Sequence, residues 1–134
     1  MRRLVVLFAA VLLAGCEWFV DDSEFVLRNE TSSSLTATWV QRDDGVVRSM
    51  PSPVRPGESA TIAVGRMLTV PELSPGLFFS RITVDALVNG EWRTAYSRHP
   101  VNDAEWRKDD EKGSVYLLVL TDADLTAVRE RRYE

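Results

Sequence analysis

The chain predicts a mainly β fold: a single antiparallel β-sandwich of six to seven strands, closed by a short C-terminal helix. Three observations carry that expectation. Short apolar runs alternate with polar residues, as half-buried strands do, and recur along most of the chain. Turn chemistry separates them, at Asp43-Asp44-Gly45, at the proline-rich residues 51–58 and at Asn89-Gly90. After Asp122 the pattern allows a short C-terminal helix, through Arg131.

The elements follow in order. Phe25 and Leu27 alternate with Val26 and Arg28, and Leu35, Ala37 and Trp39 alternate with Thr36, Thr38 and Val40. Asp43-Asp44-Gly45 turns the chain, and Val46-Val47-Arg48 starts a return strand. Residues 51–58 contain three prolines, which remove ladder donors and keep the segment out of a sheet interior. Ala60, Ile62 and Val64 then alternate on one face. The longest strand is expected over about Leu77–Val88, with Phe78, Ile82, Val84, Ala86 and Val88 sharing a face and Phe79, Arg81, Thr83 and Asp85 opposite. Asn89-Gly90 is a two-residue hairpin signal, because a type I′ turn needs positive φ at both central positions. Its partner strand, residues 91–97, carries Trp92, Thr94 and Tyr96 on one side. Asn102 with Glu105 is placed to cap one helical turn in the charged segment 102–112. The last strand, Val115–Leu120, is apolar on both faces, so both need cover. The second sheet and the C-terminal helix, through Leu125 and Val128, are the expected cover; a partner protein is the alternative.

The N-terminus has a different character. Arg2 and Arg3 precede an apolar run, Leu4–Leu13, too short for the about 20 residues a bilayer span needs. Ala14-Gly15 supply small residues before Cys16, the single cysteine of the chain. The string Leu13-Ala14-Gly15-Cys16 resembles the signal of bacterial lipoproteins. That resemblance implies a cleaved signal peptide over residues 1–15 and a lipidated Cys16 as mature N-terminus, bearing two or three acyl chains. Residues 16–24 then form a lipidated short tether, and residues 25–134 the sandwich domain. Eight extended residues reach roughly 25 Å, which keeps the domain near the membrane. Glu17, not Asp, follows the cysteine, and the family's sorting rule then favours the periplasmic face of the outer membrane over the inner membrane. Trp18 and Phe19 are placed either at the lipid interface or as the lead-in to the first strand. Trp39 gives the domain a loose, architectural resemblance to immunoglobulin-like sandwiches; the cysteine pair of antibody domains is absent.

Composition narrows the function. Without residues 1–15 the chain keeps 14 basic against 20 acidic side chains, a net charge of about −6. That balance argues against nucleic acid as a partner and against electrostatic adhesion to anionic lipid. No cofactor is implied, and with Cys16 lipidated no thiol remains for a disulfide or a cysteine metal site.

No catalytic set emerges. His99 is the one histidine, set between Arg98 and Pro100, and no G-x-S-x-G elbow exists. Asp103, Glu105, Asp109, Asp110 and Glu111 cluster, but Arg107, Lys108 and Lys112 interleave and no calcium-loop spacing appears, so a solvated loop rather than a metal site is expected. Trp39, Trp92 and Trp106 are either core or a stacking face; Trp106, in the charged segment, has least reason to be buried. The expected ligand or partner contacts are therefore Trp106, Tyr116 and Phe79. These features predict a non-enzymatic envelope lipoprotein acting as an interaction or accessory module, anchored through Cys16 and meeting an envelope protein partner. A carbohydrate- or cell-wall-binding sandwich is the alternative.

Overall fold

A computed structural model describes residues 22–66, 72–109 and 114–131, with side chains through Thr126. The signal segment, Cys16, Trp18, Phe19 and the side chain of Val128 lie outside the described residues.

Two four-stranded sheets face each other. The first has the order β4-β1-β8-β7 and the second β3-β2-β5-β6, where β1 is Ser23–Glu30, β2 Leu35–Gln41, β3 Val47–Ser49, β4 Ser59–Gly65, β5 Phe79–Val88, β6 Glu91–Arg98, β7 Arg107–Asp109 and β8 Val115–Thr121. Two helices complete it, α1 (Pro75–Phe78) and α2 (Asp122–Arg131), with a 3-10 turn at Asp103–Glu105. The fold is thus the expected sandwich with its C-terminal helix. It has eight strands rather than six or seven, because β7, three charged residues in a row, carries no alternation to betray it. The first sheet is also mixed: β8 joins β1 in parallel, from Glu24↔Val115 to Glu30↔Thr121. β1 starts at Ser23, taking two residues from the expected tether.

The hairpin forms as expected, with Asn89 and Gly90 at φ 52° and 76° between Val88 and Glu91. Leu35, Ala37 and Trp39 point inward from β2, as do Ile82, Val84, Ala86 and Val88 from β5. Facing them from the first sheet are Phe25, Leu27, Tyr116, Leu118 and Leu120. Burial of this apolar surface, at roughly 25 cal/mol per Å², supplies the stabilisation of the sandwich.

Three β-bulges invert the expected alternation. In β4 a bulge opposite Phe25/Val26 makes Ile62 the extra residue, so Ile62 is buried and Val64 turns outward. In β5 the pairing slips between Val40↔Arg81 and Gln41↔Phe79, so Ser80 is extra and Phe79 swings into the core instead of joining Arg81 outside. In β6 Ala95 is extra, which buries Tyr96 while Trp92 and Thr94 stay exposed. Each follows from the strict period of two: one inserted residue moves everything beyond it to the other face.

α2 begins at the end of β8, packs against β6 and buries Leu125. Asp124 accepts from Thr121 N at 2.8 Å, the reach-back half of a capping box, while Asp122 ties the helix start to Ser32 N at 2.8 Å and Ser32 Oγ at 3.0 Å. The capping bond expected of Asp122 is therefore made by Asp124, and Asp122 instead fastens the helix start to the β1–β2 turn.

Candidate functional site

The three residues expected to contact a ligand or partner lie together, but inside. Trp106 stacks on Phe79 at 5.7 Å between ring centroids and meets Phe25 edge-on at 6.0 Å. Phe25 stacks on Tyr116 at 5.8 Å and on Phe78 at 4.9 Å, and Phe78 meets Phe79 edge-on at 4.7 Å. Trp106 is 6% exposed, and Phe79 is fully buried. As they stand, Trp106, Phe79 and Tyr116 hold the core together rather than present a surface. Offset and edge-to-face arrangements of this kind add to simple burial.

The charged segment achieves this locally. Asn102 caps the 3-10 turn by accepting from Ala104 N at 3.0 Å. Asp103 accepts from Gly76 N at 2.6 Å, fastening the turn to α1. Glu105, rather than completing a cap, takes both ends of the Arg98 guanidinium, at 2.6 and 2.8 Å. The chain then drops Trp106 between Phe25 and Phe79. The Arg98 guanidinium also lies 4.3 Å over the Tyr96 ring. Burial first, and then the Glu105 charge, push the Tyr96 hydroxyl well above the ordinary phenol range.

The described acids of this segment therefore have structural partners. Asp103 and Glu105 are engaged as above, and Asp110 and Glu111 lie outside the described residues. No cluster of potential metal ligands occurs among the described residues. His99 is exposed, and its Nδ1 donates to Ser80 O at 2.7 Å. No hydrogen bond joins its ring to a described acid.

Among the described residues, nothing packs over the outer face of the first sheet along β8. Tyr116, Leu118 and Leu120 turn inward under the second sheet, but Val115, Leu117 and Val119 form a half-buried row on the outside. In parallel register they stand beside Glu24, Val26 and Arg28. A groove of about 260 Å³ opens at the edge of this row, lined by Ala104, Glu105, Trp106, Arg107, Leu117 and Val119. The expected internal cover thus serves one face of β8; the other is an apolar row rimmed by charge. The doubly apolar run signalled this row in the sequence. The groove had no such signal, because it depends on where the 3-10 turn lands.

A second concavity, of about 160 Å³, lies at the end of the sandwich where the chain enters β1, lined by Gln41, Asp43, Val64, Gly65, Arg66, Leu73, Leu77 and Phe78. Close by, Glu72 accepts from Lys108 at 2.6 Å and from the Tyr116 hydroxyl. The lysine first, and then the phenol, hold the Glu72 carboxyl below the usual carboxylate range. Trp92, 45% exposed, stands opposite Leu87 on the outer face of the second sheet. No described helix is long and apolar enough to cross a membrane.

A scan against protein-family models, a search of curated proteins and a search of solved structures each find no match to this chain.

Proposed function

We propose that this chain is a bacterial envelope lipoprotein, anchored through acyl chains on Cys16, whose β-sandwich is a non-enzymatic interaction module held close to the bilayer. The observation that carries the reading is the string Leu13-Ala14-Gly15-Cys16 behind Arg2-Arg3 and a short apolar run, with no other cysteine in the chain. Two or more acyl chains make detachment rare, at about 0.8 kcal/mol per buried CH₂. The half-buried row Val115, Leu117 and Val119 with its adjoining groove supports an interaction role, because it is apolar, solvent-facing and bordered by charge. The partner is an envelope protein; nucleic acid is disfavoured by the negative net charge. The outer membrane, periplasmic face, is the favoured site. A carbohydrate-binding role would have to rest on Trp92, since Trp106 is enclosed by the core.

Replacement Cys16→Ala tests the anchor. The expected outcome is loss of the protein from the membrane fraction or accumulation of the uncleaved precursor; unchanged fractionation with unchanged mass refutes it. Leu117→Asp tests the surface. It should abolish in-cell crosslinking to the partner while leaving the β-sheet circular dichroism signal intact.

A further inference from the structure

We infer that the domain rests on the bilayer surface with the end at which the chain enters β1, and that Leu77, Val64, Val46 and Val47 are the side chains that meet lipid. The inference rests on the lipoprotein reading and adds an orientation to it. The chain enters β1 at Ser23, seven residues after Cys16, so Ser23 lies within roughly 25 Å of the anchor. Ser23 pairs with Gly65, and Asp22 pairs with Arg66 at 2.7 Å, so the tether arrives at the rim of the 160 Å³ concavity. Val64 and Leu77 line that concavity and are 58% and 41% exposed. Val46 and Val47, 49% and 66% exposed, follow the turn that also contributes Asp43 to it. Four of the six large apolar side chains exposed among the described residues thus gather at the tethered end.

Charge points the same way. The chain as a whole is acidic, with a net charge of −4. The acids at this end are Asp22, Glu24, Asp43, Asp44, Glu72 and Asp103, the cations Arg42, Arg48, Arg66 and Lys108, and most of the acids are already engaged. Arg66 holds Asp22, Arg48 holds Asp44 at 2.7 Å, and Arg42 donates to Gly76 O at 3.0 Å. Acids held in ion pairs and hydrogen bonds oppose an anionic leaflet less than free ones do. The other two exposed side chains, Leu87 and Trp92, face each other across the hairpin at the opposite end and serve as the internal control.

The test uses the processed full-length protein in phosphatidylcholine and phosphatidylethanolamine vesicles that contain a doxyl-labelled lipid. Because acylation consumes the one native thiol, Leu77→Cys, Val64→Cys and Leu87→Cys each introduce a single labelling site. A fluorophore at 77 or 64 should be quenched at least about two-fold by the doxyl lipid and shielded from aqueous iodide, since surface-docked apolar groups enter the headgroup boundary. At 87 the pattern should reverse. Equal quenching at both ends, or shielding from both quenchers at 77, which would mean a protein covers that end, overturns the inference. Intact mass on the same samples separates the two levels: acyl mass present with equal quenching overturns the orientation alone, whereas acyl mass absent overturns the anchor and the orientation together.

Discussion

The two ends of the sandwich are built by different physics. At the end remote from the tether, Asn29 is fully buried and fully engaged. Its Nδ2 donates to Ser33 O at 2.7 Å and Val54 O at 2.9 Å, while its Oδ1 accepts from Thr31 N at 2.9 Å and Thr31 Oγ1 at 2.6 Å. One side chain thereby fixes the β1–β2 turn and the proline-rich connection, and Asp122 adds the start of α2 through Ser32. At the tethered end the rings of Phe25, Phe78, Phe79, Trp106 and Tyr116 do the holding. Hydrogen bonds are directional and specify one loop geometry; ring packing is less directional and tolerates an end whose outer surface stays apolar. The polar end is thus fixed by directional bonds, and the aromatic end by ring packing beneath an apolar outer surface.

The largest effects should come from emptying the aromatic end. Phe25→Ala and Trp106→Ala should each cost about 3–5 kcal/mol, read from urea unfolding, because each leaves a ring-sized cavity. A surface Trp106 would instead give almost no change in stability. Next comes Asn29→Ala, which strands Thr31 N and takes one of two donors from Ser33 O and from Val54 O, which keep Thr31 Oγ1 and Leu35 N; about 1–3 kcal/mol is expected, together with faster amide exchange around residues 31–34. Equal losses at the two ends would weaken the contrast. Gly65→Ala probes the join between tether and aromatic end. A methyl group there would stand 2.6 Å from the Phe78 ring and 2.9 Å from Leu73, so about 1–3 kcal/mol of overpacking is expected from thermal denaturation.

The smallest effect concerns pH. Glu72 has its carboxyl pKa lowered in the fold by Lys108 and Tyr116. A depressed carboxylate pKa contributes stability that is present at neutral pH and lost as the pH falls through the folded-state value. Both partners are more than a third exposed or close to it, at 35% for Glu72 and 42% for Lys108, so solvent screening keeps the contribution below about 1 kcal/mol. Lys108→Met should therefore lower stability at neutral pH by less than about 1 kcal/mol and leave it unchanged at the acid end, flattening the acid limb of the curve read from urea unfolding across pH.

Much of this was legible in the sequence. Leu35, Ala37 and Trp39 declared an inward face, Asn89-Gly90 declared its hairpin, and the apolar run at Val115–Leu120 declared a strand with one face too many. The misplacements share one cause. Val64, Phe79 and Tyr96 each follow strict alternation until a single extra residue, Ile62, Ser80 or Ala95, flips the strand. A bulge of that kind depends on partners in other strands, and nothing in the local run announces it. Trp106 was misplaced for a related reason. Its neighbours are charged, and only the Asp103–Gly76 and Glu105–Arg98 contacts, both distant or tertiary, reveal that the charges face outward while the indole turns in. The parallel pairing of β8 with β1 was equally hidden, since alternation carries no direction.

The measurement that bears most directly on the account is the intact mass of the protein extracted from native membranes. The expected result is a chain beginning at Cys16 and carrying two or three fatty acyl chains. A chain retaining residues 1–15, or one whose Cys16 bears a free thiol, would contradict it.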